Sequence, residues 1–166
     1  MKALIIAGKY SQDVEVFYPL YRMQEEGWIV DIATKGKQEV LGVYGMPIRP
    51  TTDIPTNFNE WDVLILTGGA RALEYLRQEE HLIQQIRNFG GTIGSICHGT
   101  QLLISAKRTQ GIFVTGYYSI RDDIVNAGGF YPAGDAPYTT DGKIVSSSHY
   151  KHLGPFMKEL IRVALS

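Results

Sequence analysis

Four short apolar runs limit what this chain can fold into: Lys2–Ala7 (KALIIA), Trp28–Ala33 (WIVDIA), Asp62–Leu66 (DVLIL) and Thr92–Ile96 (TIGSI). None has the strict polar–apolar alternation of a strand with one wet face, so each suits a strand buried on both faces. Stretches of helical spacing separate them. Strand and helix alternating from end to end predict a doubly wound α/β three-layer sandwich with a mostly parallel sheet. In such sheets reactive groups gather beyond the carboxyl ends of the strands. The segments that fall there are Lys9–Glu15, Thr67–Ala70, Cys97-His98 and Gly116–Ser119.

The remaining elements follow from spacing and punctuation. Val14–Glu26 reads as a helix stopped by Gly27, with Pro19 expected to kink it or break its first turn. Glu39–Val43 and Met46–Arg49 read as a short hairpin around Tyr44-Gly45, and Thr51–Glu60 as a polar loop. Arg71–Phe89 is helical with a break near Gln78–Glu80, and Gln101–Ala106 is helical again. Ile112–Thr115 reads as a strand, Ile120–Ala127 as a helix, and Pro132–Pro137 as a loop. Tyr138–Thr140 and Lys143–Ser147 flank the hairpin dipeptide Asp141-Gly142, and Leu153–Leu165 is a closing amphipathic helix. No repeat or linker divides the chain, and residues 1–166 are expected to form one domain.

The run out of the fourth strand carries the chemistry. Ser95-Ile96-Cys97-His98-Gly99 joins a strand to a helix as a nucleophile elbow does, with Ser in place of the first Gly. Cys97 is the only cysteine. A helix that starts just after it directs free N–H groups and a positive dipole end at the sulfur, which favours the thiolate. Three other strand-end segments converge there. Asp13 and Glu15 supply carboxylates, able to hold a proton for the sulfur when buried beside it. Gly68-Gly69 can turn backbone N–H groups toward an oxyanion. Tyr117 and Tyr118 can supply a phenol. His98 is a base for Cys97 if its ring turns back toward the sulfur, and it then needs a third group to orient it. His149 reads as a surface residue unless it faces the pocket.

Composition excludes several classes. Lys+Arg total 16 against Asp+Glu 17, a net charge of −1, which gives no electrostatic case for nucleic acid or an anionic membrane. One cysteine forbids an intrachain disulfide and fits a reducing compartment, and no apolar run approaches membrane-spanning length, so the cytoplasm is the expected location. No His, Cys, Asp and Glu grouping has metal-ligand spacing, and the glycines make neither a dinucleotide fingerprint nor a P-loop, so no cofactor is expected.

Taken together, MKALIIAG, DVEVFYPLYRMQEEGWIVDIA, WDVLILTGG, SICHGTQLLISA, SIRDDIVNAGG and DGKIVSSS resemble the PfpI-type intracellular peptidases of the ThiJ/PfpI superfamily, which also holds a protein deglycase. The resemblance implies a flavodoxin-like, class I glutamine amidotransferase-like sandwich, assembled as a homodimer or hexamer. It implies Cys97 as nucleophile, Glu15 as the carboxylate that hydrogen-bonds it, and oxyanion or substrate contacts from Gly68, Gly69, His98 and Gly99. His98 would work with a glutamate from the adjacent subunit, at the position of Glu74, and Tyr117 falls where a pocket Tyr or His is common. Two positions depart from the pattern. Gln12 replaces a second acidic residue, which changes the local field, and Thr67 replaces a Pro, which is a mild change.

The expected function is a cofactor-free cysteine enzyme acting on small reactive carbonyls: glyoxalase III or deglycase chemistry, methylglyoxal to lactate. One alternative is a peptidase or amidase whose Cys97, His98 and Glu74 triad closes across a subunit interface. The other is a redox-sensing stress-response protein or chaperone whose signal is oxidised Cys97.

Overall fold

The computed structural model describes residues 1–166. Its strands are β1 (Lys2–Ile6), β2 (Ile29–Thr34), β3 (Val40–Leu41), β4 (Pro47–Ile48), β5 (Thr52–Asp53), β6 (Val63–Leu66), β7 (Thr92–Ile96), β8 (Thr139–Asp141) and β9 (Ile144–Ser147). Its helices are α1 (Asp13–Glu25), α2 (Ala70–Leu76), α3 (Glu80–Asn88), α4 (Thr100–Ser105), α5 (Arg121–Asn126) and α6 (Leu153–Ala164). Seven strands form one sheet in the order β5-β2-β1-β6-β7-β9-β8, parallel except where β8 runs against β9. The predicted doubly wound sandwich is therefore the observed fold.

The apolar runs explain its layers. Alternate residues of one strand feed opposite cores: Leu4 and Ile6 join a cluster with Leu73, Leu82, Leu102 and Ile124, under α2 to α5. Ala3 and Ile5 join Val16, Met23, Phe156 and Leu160, under α1 and α6. Strand order reverses at β1, whose neighbours are β2 and β6. Ligands in open α/β sheets bind at such a switch point, beyond the strand ends. Here that crevice lies next to the end of β7.

Four local expectations need correction. Pro19 does not break its helix, which runs unbroken from Asp13 to Glu25 with Pro19 buried. The one amide donor it removes is the partner of the Glu15 carbonyl. Ile112–Thr115 is not a ladder strand and makes a single parallel bridge, Phe113 to Phe130. Side chains take the donors a ladder needs: Phe113 N–H goes to Asp141 Oδ2 at 2.9 Å and Thr115 N–H to Ser146 Oγ at 2.9 Å. The expected loop after Pro50 contains a short edge strand, β5, tied to β2 through Ala33↔Thr52 and Thr34↔Asp53. The β8–β9 turn centres on Gly142-Lys143, because Asp141 pairs with Ile144 and Gly142 takes φ 55°.

The hairpin β3–β4 lies outside the main sheet. Asp13, at the start of α1, holds it: the buried carboxylate accepts the N–H of Tyr44 at 2.7 Å and of Met46 at 3.0 Å. Asp13 is thus a structural clamp rather than a partner of the cysteine.

Candidate active site

Cys97 follows β7 directly and sits at φ 58°, in the left-handed region that residues with a Cβ rarely enter. That is the strained turn of an elbow. It is held from both sides. Tyr117 N–H donates to the Cys97 carbonyl at 3.1 Å. Thr100 hydroxyl donates to the Thr115 carbonyl at 2.8 Å and lies 2.9 Å from Ser95 Oγ. Ser95 therefore has a packed, satisfied place in the position of the pattern's first glycine. Gly99 is buried where a Cβ would strike the Leu66 carbonyl. Its part is to let α4 start close under β6.

Glu15 projects from the first turns of α1 to meet the elbow, with no exposed surface. Its Oε2 accepts the Gly68 N–H at 2.5 Å. Gly68 has no room for a side chain, since a Cβ there would lie 2.6 Å from Glu15 Oε2 and 2.9 Å from Cys97 Cβ. The Gly68 N–H is thus committed to Glu15, not to an oxyanion. The donors that face the Cys97 sulfur are the N–H groups of Gly69 and His98. Gly69 holds its donor there by adopting φ 99°, and a Cβ would strike the Tyr10 carbonyl.

Burial pushes the Glu15 carboxyl up to about 8, against smaller opposing pulls from Gly68 N–H and Cys97. Burial also pushes the Cys97 thiol up, and a charge on Glu15 would push it further, while the His98 and Gly69 N–H groups pull it down. Two negative charges side by side in this pocket are too costly, so the pair does not lose both protons. Glu15 Oε1 has no hydrogen-bond partner, while the carboxyl group as a whole lies in hydrogen-bond contact with Cys97. With Oε2 occupied as an acceptor, Oε1 is the oxygen free to carry the carboxyl proton.

The His98 ring does turn to the sulfur, with Nδ1 3.5 Å from Sγ. Its Nε2 lies 3.4 Å from Ser119 Oγ, so the orienting group within one chain is a hydroxyl, not a carboxylate. Burial lowers the His98 pKa, which favours the neutral ring. Tyr117 stacks on that ring at 4.7 Å and 26°. Glu74 stays on the outer side: with Arg77, Gln101, Ser119 and Asp123 it lines a cleft of about 410 Å³ onto which His98 opens.

Sequence reasoning left three neighbours of the site without a role, one of them, Ser119, inside a candidate strand-end segment. Ser119 is named above. His149, read as surface, stacks against Tyr117 at 6.1 Å and lies 4.1 Å from Tyr150. Ser148 is buried beside it. The signal was present: β9 pairs with β7 as Ile96↔Ser147, so its carboxyl end is also a strand end at the elbow.

A profile of the DJ-1/PfpI family matches residues 1–163. The chain belongs to the DJ-1/PfpI family. Among its relatives, Deglycase PfpI of Pyrococcus furiosus is 37% identical over 167 residues, covering 98% of this chain and 99% of that one. A deglycase of Pyrococcus horikoshii is 36% identical with the same coverage. The crystal structure of Drosophila melanogaster DJ-1beta superposes with a TM-score of 0.88 at 21% identity, covering 99% of this chain and 91% of that one, a likeness of fold. In this DJ-1/PfpI chain no helix is long and apolar enough to cross a membrane.

Proposed function

We propose that residues 1–166 act as one PfpI-type domain that converts small reactive carbonyls without a cofactor, adding water to methylglyoxal or glyoxal to give lactate or glycolate, or doing the same chemistry on a thiol or amine adduct. The observation that carries this reading is the buried Glu15 beside Cys97, with one oxygen on Gly68 N–H and the other free for the sulfur. Relatives named deglycase, at about the same length, point the same way.

The thiolate adds to the aldehyde carbon. A C–S bond forms, the carbonyl π pair moves to oxygen, and Gly69 and His98 N–H groups hold that charge until Glu15 gives it a proton. The neutral His98 ring then takes the hydrogen from the first carbon. The electron pair moves through the C1–C2 bond to the second oxygen, giving an enediolate. Return of the proton from His98 to the second carbon, with the first oxygen's proton passing to the second oxygen, leaves a thioester of a 2-hydroxy acid. Water hydrolyses it and restores the thiol, so the sum is redox-neutral hydration and internal transfer.

The test is methylglyoxal consumption with the product identified by proton NMR, free of glutathione, for the wild type and Cys97→Ser. Lactate from the wild type alone is expected. No lactate from either would end this reading.

A second reading is peptide or amide hydrolysis, favoured by the 3.5 Å His98–sulfur distance and by Glu74 on the cleft His98 faces. In it, Glu74 of a neighbouring copy completes the triad, so Glu74→Ala abolishes hydrolysis and leaves the subunit folded. Assembly as a homodimer or hexamer belongs to both readings. Its support is a stripe of exposed apolar residues on α1, Val14, Tyr18 and Tyr21, next to Val43, Tyr44 and Met46 of the β3–β4 hairpin.

A further inference from the structure

Beyond the end of β1, Gly8–Ser11 forms a tight turn closed by the Ser11 N–H, which donates to the Gly8 carbonyl at 3.0 Å. Its third residue, Tyr10, takes φ 68°, where such turns use glycine or asparagine. A tyrosine held there costs about 1–3 kcal/mol. The Tyr10 N–H donates to the Leu41 carbonyl at 2.8 Å, a bond open to any residue but proline, so the ring is what sets tyrosine apart. Lys9 Nζ lies 5.1 Å from the centre of that ring, and the guanidinium carbon of Arg71, in the first turn of α2, lies 4.0 Å from it. The ring thus holds two like charges together against their mutual repulsion. Both side chains are exposed, and neither forms an ion pair with a carboxylate.

Lys9 also stands on the lip of an open cleft of about 560 Å³, set between the ends of β1 and β2 and the side of α2. That volume suits a small organic ligand. Val40, Tyr75 and Leu76 give the cleft an apolar wall, and Tyr75 is 60% exposed along it. The other charged groups lining it, Lys35 and Glu79, pair with each other at 2.5 Å. What is left over is positive charge beside an apolar wall. We propose that this cleft binds a small organic carboxylate, its flat apolar body against Tyr75, Leu76 and Val40 and its carboxylate between Lys9 and Arg71. The guanidinium fork matches the two oxygens of a carboxylate, and the ammonium adds a point charge. A neutral molecule would leave both cations unmatched, and a cationic one would be repelled. The site makes no use of Cys97, so it goes beyond the carbonyl reading and does not depend on it.

The experiment is an NMR titration of the whole chain, labelled with heavy nitrogen, by naphthoate and by naphthamide. The two probes share their rings and shape, and only naphthoate carries a charge. Naphthoate is expected to shift the amide signals of Gly8, Gly36 and Leu76, which line the cleft. It should bind about fivefold more tightly than naphthamide, the worth of a charge-assisted contact at a partly exposed site. Lys9→Gln and Arg71→Gln should each bring the two probes to within about twofold of one another, with naphthamide little changed. Both changes are at exposed side chains, so the fold is kept. Tyr75→Ala should weaken both probes alike, by about 2- to 10-fold, through loss of the ring they lie on.

No saturable shift at millimolar naphthoate would overturn the proposal, as would shifts confined to another face of the molecule. Equal affinity of the two probes for the wild type would overturn it too, since the cleft would then read only the apolar body. So would a preference for naphthoate that survives both Lys9→Gln and Arg71→Gln. Each of these results leaves the lactate test of Cys97 standing, and failure of that test leaves the carboxylate site standing.

Discussion

At φ 58° Cys97 occupies a conformation that costs about 1–3 kcal/mol and is held there by its neighbours. The return on that strain is position: the sulfur meets Glu15, the N–H groups of Gly69 and His98, and the His98 ring together. Glu15 carries a stability consequence with a definite sign. Its folded pKa, about 8, lies above its ordinary 4.5, so the folded state binds the extra proton between those values. Stability is fully present below about pH 4.5 and is lost as pH rises through 8, by an amount on the order of 4 kcal/mol. Calorimetric melting from pH 4.5 to 9 should show this fall in the wild type, and Glu15→Gln, which cannot ionise, should be nearly flat. The meeting of Cys97 and Glu15 was legible in part: strand-end placement brought their segments together, and the family resemblance singled out Glu15 over Asp13. Ser148 and His149 were not, since Lys143–Ser147 was read as a hairpin strand and its carboxyl end was not placed beside the elbow; Ser119 lay in a candidate strand-end segment but was not singled out. Gly68 was misread because its position showed only that an N–H was available, not which acceptor would claim it.

Among the elements, the buried apolar strands could be placed from sequence because nothing else suits such runs. The β5 edge and the Ile112–Thr115 segment could not. Thr52–Asp53 is two residues long, with no periodicity to read, and Ile112–Thr115 has strand composition but gives its N–H groups to side chains from distant segments. The β3–β4 hairpin owes its place to one residue of another element. Asp13→Ala leaves the Tyr44 and Met46 N–H groups without their acceptor, and should cost about 3 kcal/mol in urea denaturation. Amide exchange should quicken at Tyr44 and Met46 ahead of the main sheet. Equal loss of protection everywhere would mean that the clamp serves the whole fold rather than the hairpin.

For the molecule as a whole, the sheet order places β1, β6, β7 and β9 side by side, and the site draws on the ends of all four. That convergence is why a chain with net charge −1 and a single cysteine can build an electrostatically specific pocket. The exposed stripe of Tyr18 and Tyr21 beside Tyr44 and Met46 is the face a second copy would cover. Sedimentation of the wild type should show a dimer or larger, and Tyr21→Glu with Tyr44→Glu should shift it toward monomer without unfolding it. A wild type that sediments as a monomer at micromolar concentration would remove both the assembly and the shared-triad peptidase.

The account turns on a protonated Glu15 that donates to the Cys97 thiolate. The rate of Cys97 alkylation by iodoacetamide against pH tests this directly, in wild type, Glu15→Ala and Glu15→Gln. If Glu15 is the donor, Ala removes a hydrogen bond to a charged sulfur and the apparent thiol pKa rises, by about one to two pH units. Gln, whose amide N–H can replace the lost O–H, should restore most of the shift. If Glu15 instead carries its charge beside the sulfur, removing it relieves a repulsion, and the apparent pKa of Glu15→Ala falls below that of the wild type. A fall would contradict the account.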